Sequence, residues 1–128
     1  MHVRVRQWTG ALSAIILVAG VALSAHIKVE KTFPETDVTV TSIPDRLQVW
    51  FSQAPTVPVS SLTLEGPDGK VTVGKAAAGK VDGKSDRSIV APITGTVSAG
   101  KYTVTWKTSG SDGHILTGTF DFIVKPGV

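Results

Sequence analysis

The chain has 128 residues, with 13 Lys and Arg against 10 Asp and Glu and no cysteine. That length supports one ordinary core rather than two. The missing thiol excludes disulfide staples, nucleophilic cysteine chemistry, Cys-ligated zinc and the thiolate on which blue-copper electron transfer depends. The basic residues show no Arg cluster and no interleaved aromatics, so a nucleic-acid footprint is absent.

Residues 1–8 contain Arg4, Arg6 and no acid, residues 11–23 are almost unbroken apolar sequence, and Ser24 and Ala25 follow. This is the order of a secretory signal peptide. The apolar run falls short of the roughly 18 to 20 residues that span a bilayer. Residues 1–25 are therefore expected to be removed, leaving residues 26–128 as one exported domain with no membrane span. A cut after Ser24 fits the small-x-small rule better, whereas a cut after Ala25 makes His26 the first residue. Removing Arg4 and Arg6 leaves 11 basic against 10 acidic residues, a mature charge of about +1.

Beyond the leader, short alternating runs replace helical periodicity and are separated by Pro, Gly, Asp and Ser. Leu47, Val49 and Phe51 alternate with Gln48 and Trp50, which predicts a strand. Leu62 and Leu64 alternate around Thr63, and Gly66-Pro67-Asp68-Gly69 predicts a hairpin turn before Val71 and Val73. Gly74 to Ser85, rich in Ala, Gly and Lys, reads as a surface loop, and Ser88 to Ala91 as a strand. Tyr102, Val104 and Trp106 share one face of a strand, as do Phe120, Phe122 and Val124 of another, and these six large residues are the expected centre of the core. Gly100-Lys101-Tyr102 suits a tyrosine corner. The fold class is all-β, with about seven strands in two sheets.

Candidate chemistry is confined to few residues. His2 is lost with the leader, so His26 and His114 are the imidazoles of the mature chain. At a new N-terminus, the α-amine and ring Nδ1 of His26 can chelate one ion together, which an internal histidine cannot do. His114 lies in Ser111-Asp112-Gly113-His114, where Gly113 permits a sharp turn bringing Asp112 and His114 toward one point. Two imidazoles, an amine and a carboxylate suit tetragonal Cu(II), although the ligand types alone do not exclude zinc. The single methionine is Met1, so no thioether site for Cu(I) remains after processing. The structural alternative is that Asp112-Gly113 is an ordinary hairpin turn and His114 a solvated loop residue.

A leader ending Ala-His, Phe33-Pro34, Trp50-Phe51-Ser52, Leu62-Thr63-Leu64 with Pro67-Asp68-Gly69-Lys70, and residues 100–106 leading to Ser111-Asp112-Gly113-His114 with Gly118 and Phe120 beyond, resemble the CopC family of periplasmic copper-resistance proteins. The resemblance implies a Greek-key β-sandwich or barrel of immunoglobulin-like or cupredoxin-like type. It implies Cu(II) held by His26 with its amine, Asp112 and His114, in a periplasmic binding protein rather than an enzyme. The implied partner is the copper ion; storage, buffering and delivery all stay open, and delivery would call for a recipient such as an inner-membrane copper transporter. Two departures stand out: Gln53 occupies a position where family members often carry Glu, and the Met-rich Cu(I) segment of some members is missing. Rival readings are a metal-free immunoglobulin-like interaction module and a brace-type copper monooxygenase. Against the latter, Asp112 would occupy coordination space that oxygen activation needs.

Overall fold

The computed structural model describes residues 26–127, and the expected signal peptide and its cleavage site lie outside them, except for His26 itself. Among the described residues nine strands form two stacked sheets: β1 (Val29–Phe33), β2 (Thr39–Val40), β3 (Arg46–Phe51), β4 (Ser61–Gly66), β5 (Gly69–Val71), β6 (Ala77–Val81), β7 (Lys84–Pro92), β8 (Gly100–Ser109) and β9 (Ile115–Val124). A single 3₁₀ turn, Val57–Val59, precedes β4. One sheet has the order β1-β3-β7-β6 and the other β2-β9-β8-β4-β5, so the chain passes repeatedly between layers. Every pairing is antiparallel except that of β2 with β9. The expected all-β sandwich is what forms, and no helix among the described residues is long and apolar enough to cross a membrane.

The inward positions of the alternating runs build the core. In β3, Leu47, Val49 and Phe51 are buried, as are Leu62 and Leu64 in β4, and Ile89 and Ala91 in β7. Each large apolar side chain buried this way contributes about 1.5–3 kcal/mol. Tyr102 and Val104 of β8 and Phe120, Phe122 and Val124 of β9 complete the interior. Tyr102 stacks on Phe122 with ring centroids 5.5 Å apart, and Phe51 meets Trp106 edge-on at 5.4 Å. Trp106 itself is only partly buried and packs against the core from its margin. The tyrosine corner is present: Tyr102 Oη donates to Ser98 O at 2.8 Å and accepts from Ser98 N at 2.9 Å.

Two expectations are corrected. The strand count is nine rather than about seven, since β1 is an edge strand with three exposed residues and β2 has only two residues. Neither carries an apolar alternation for the sequence to display. The segment from Gly74 to Ser85 is no loop, because it contains β6 and the beginning of β7. Ala77-Ala78-Gly79 offers little β propensity, but pairing with β7 imposes the strand. Gly79 is required there by close approach, since a Cβ would run into Ser88 Oγ. That hydroxyl belongs to a polar network on the outer face of the four-stranded sheet. Gln48 Nε2 donates to Ser88 Oγ at 2.8 Å, Ser88 Oγ donates to Asp86, and Trp50 Nε1 donates to Asp86 Oδ2 at 3.1 Å. Trp50 is accordingly a packing residue, with Lys31 Nζ 4.7 Å from its ring centre.

Candidate metal centre

The segment before β1 is anchored although it precedes the first strand. Ile27 is buried in the core, which fixes the direction in which its neighbour His26 emerges. Lys28 and Ser52 then exchange two hydrogen bonds: Lys28 N donates to Ser52 Oγ at 2.9 Å, and Ser52 N donates to Lys28 O at 2.8 Å. His26 is thus held against the end of β3, not on a free tail.

The second half of the site is the connection between β8 and β9. Ser109 pairs with Ile115, so Gly110 to His114 project beyond the last rung of the longest ladder. Gly113 N bonds Gly110 O at 3.2 Å to close a turn. Gly113 takes φ +76°, a conformation that costs an L residue with a side chain energy and glycine almost none. This reversal lets Asp112 fold back on the chain, its Oδ1 accepting from His114 N at 3.0 Å.

The other carboxylate oxygen faces the imidazoles. Asp112 Oδ2 is 3.3 Å from His114 Nδ1 and 3.6 Å from His26 Nδ1. The two rings are 6.5 Å apart between centroids. One potential ligand atom from each of the three residues lies within 4.8 Å of the others. With metal to nitrogen bonds of about 2.0 Å, ligands on opposite sides of an ion stand about 4 Å apart. Small side-chain rotations therefore suffice to close the set around one ion. The ring atom of His26 that faces Asp112 is Nδ1, the nitrogen from which a six-membered chelate ring to the residue's own amine can form.

The electrostatics favour an ionised carboxylate. The hydrogen bond from the His114 backbone lowers the pKa of Asp112 below its ordinary 3.8, the charges of His114 and His26 add to this, and partial desolvation opposes it. All three residues singled out in the sequence meet here, with side-chain exposures of 55% for His26, 30% for Asp112 and 74% for His114. What sequence reasoning missed is the support: Ile27, Lys28 and Ser52 carry no chemical signature. Gln53, read from the resemblance as the loss of a carboxylate near the copper site, accepts from Ser111 N and from Ser111 Oγ, both at 3.1 Å.

Comparison with known proteins bears on the whole described fold. A CopC domain profile matches residues 29–125. The chain belongs to the CopC family. It is 35% identical over 115 residues to the copper resistance protein C of Escherichia coli, covering 85% of this chain and 90% of that protein. The protein YobA of E. coli strain K12 is 26% identical over 101 residues, covering 79% and 80%. Among solved structures, PcoC from E. coli, described as a methionine-rich copper resistance protein, superposes with a TM-score of 0.67 at 30% identity, over 78% of this chain and 99% of that one. CopC from Methylosinus trichosporium OB3b gives a TM-score of 0.68 at 24% identity, over 80% and 97%, and so attests the CopC fold.

Proposed function

We propose that this CopC-family chain is exported to the periplasm, cleaved after Ala25, and binds Cu(II) there in the service of copper resistance. In this reading the His26 amine and Nδ1, His114 Nδ1 and Asp112 Oδ2 are the ligands. The observation that carries it is the convergence of His26 Nδ1 and His114 Nδ1 on one oxygen of Asp112, at 3.6 and 3.3 Å. Three nitrogens and a carboxylate oxygen suit tetragonal Cu(II). The copper-resistance relatives support the choice of metal. Unlike the methionine-rich PcoC, this chain has Met1 as its single methionine, so the mature domain lacks a soft site for Cu(I). The role is holding or delivering copper rather than turnover, and delivery would call for a recipient such as an inner-membrane copper transporter.

The deciding experiment changes the N-terminus and no side chain. Protein beginning at His26 is compared by Cu(II) titration and electron paramagnetic resonance with protein carrying one extra Gly before His26. The extension moves the free amine away from the ring, so affinity is expected to fall by orders of magnitude and the type 2 spectrum to change. Equal affinity and an identical spectrum would remove the N-terminus from the ligand set. Intact mass of protein taken from its native compartment checks the start at His26, and a start at Ala25 would sink the amine chelate. Because protons compete with the ion for the amine and imidazole nitrogens, affinity should decline as pH falls.

A further inference from the structure

The two halves of the metal centre come from segments far apart in the chain, yet their separation must be right to within tenths of an ångström for shared coordination. Two consecutive residues just beyond β3 touch both halves. Ser52 exchanges two hydrogen bonds with Lys28, two residues after His26. Gln53 packs on Gly110 and accepts with Oε1 from the backbone N and the hydroxyl of Ser111, the residue before Asp112. Ser111 and Asp112 are the central residues of the turn closed between Gly110 and Gly113. Fixing Ser111 N therefore fixes the peptide from which the Asp112 carboxylate hangs.

Ser52 is itself secured from a third direction. Arg87, in β7, donates from Nη1 to Ser52 O at 3.1 Å. It does so from φ +64°, a region costly for a residue with a long side chain, with its own N bonded to Ser85 Oγ at 3.3 Å. The sheet accepts local strain at the position from which a guanidinium reaches the end of β3. We infer that Ser52-Gln53, backed by Arg87, is the joint that sets the distance of His26 from Asp112 and His114, and that Gln53 is a positioning residue acting through Ser111. This rests on the copper reading above. The neutral amide thereby supplies an acceptor beside the centre without adding a second negative charge to it.

The alternative is that Gln53 merely fills space against Gly110. Gln53→Leu keeps the bulk and removes the acceptor, whereas Gln53→Glu keeps an acceptor oxygen. Both are made in protein beginning at His26 and read in two ways. In the metal-free state, exchange of the Ser111 amide proton, followed by NMR, should accelerate about tenfold in Gln53→Leu and return toward the wild-type rate in Gln53→Glu. With Cu(II), Gln53→Leu should bind about tenfold more weakly and give a broadened, mixed spectrum. An unchanged Ser111 amide in Gln53→Leu, wild-type affinity and spectrum in that variant, or no rescue of the Ser111 amide by Gln53→Glu would each overturn the joint. If the wild-type protein itself fails to bind Cu(II), the copper reading falls instead, and the Ser111 comparison alone then decides whether Gln53 fixes the turn.

Discussion

Asp112 combines two jobs in one side chain, and its two oxygens divide them. Oδ1 holds the His114 backbone, while Oδ2 faces both imidazoles. The first contact is the main reason its pKa is lowered, so carboxyl titration of the metal-free protein by NMR should give an Asp112 midpoint below 3.8. The sign for stability follows from linkage. A carboxyl with a depressed pKa contributes stability that is fully present above its unfolded value of about 3.8 and is lost as pH falls through the lower folded value. A midpoint at or above 3.8 would mean that the carboxylate does not hold the turn in solution. At neutral pH Asp112 is ionised, so the acid sensitivity of metal binding originates in the nitrogen donors.

Among the elements, β8 and β9 matter most to the site, because one end of their ladder holds the tyrosine corner and the other end presents Asp112 and His114. At roughly 3.3 Å per residue of strand, Tyr102 lies about 23 Å from Ser109, the last rung of the ladder, and the candidate centre lies beyond it. Tyr102→Phe removes both bonds to Ser98 and should destabilise the apo protein by about 1–2 kcal/mol, seen as a melting temperature several degrees lower. Cu(II) affinity should be unchanged, and a weakened site would contradict the separation of these two ends. Both strands were legible in the sequence because Tyr102, Val104, Phe120, Phe122 and Val124 repeat at period two and all point inward. β6 was not, since Ala77 to Val81 has no such alternation and owes its conformation to β7 and to the polar groups beneath Gly79. The site divides in the same way. His26, Asp112 and His114 announce themselves by residue type, whereas Ser52 is an ordinary polar residue whose importance comes from a pairing with Lys28 that only the assembled sheets create.

For the molecule as a whole, a domain without disulfides depends on its core and on whatever binds the native state. If the unfolded chain binds the ion weakly, free Cu(II) at 100 times its dissociation constant adds about 2.7 kcal/mol to stability. Calorimetry should therefore show a melting temperature that rises with Cu(II) for protein beginning at His26, and a much smaller rise for the form extended by Gly, with the two metal-free proteins melting together. Different metal-free melting temperatures would show that the extension disturbs the fold rather than the chelate. The exposure of the three site residues, at the projecting end of the longest ladder, bears on rate rather than on affinity. An ion bound there as proposed would stand beside solvent, so a competing ligand could reach it before the protein's ligands leave. On the copper reading, exchange is expected to be associative, and removal of Cu(II) should accelerate in proportion to the concentration of an added chelator when followed by stopped-flow absorbance. A release rate independent of chelator concentration would mean that the ion must first escape unaided. The associative route lets a tightly held ion be handed over quickly, provided the recipient brings its own ligands to the rim.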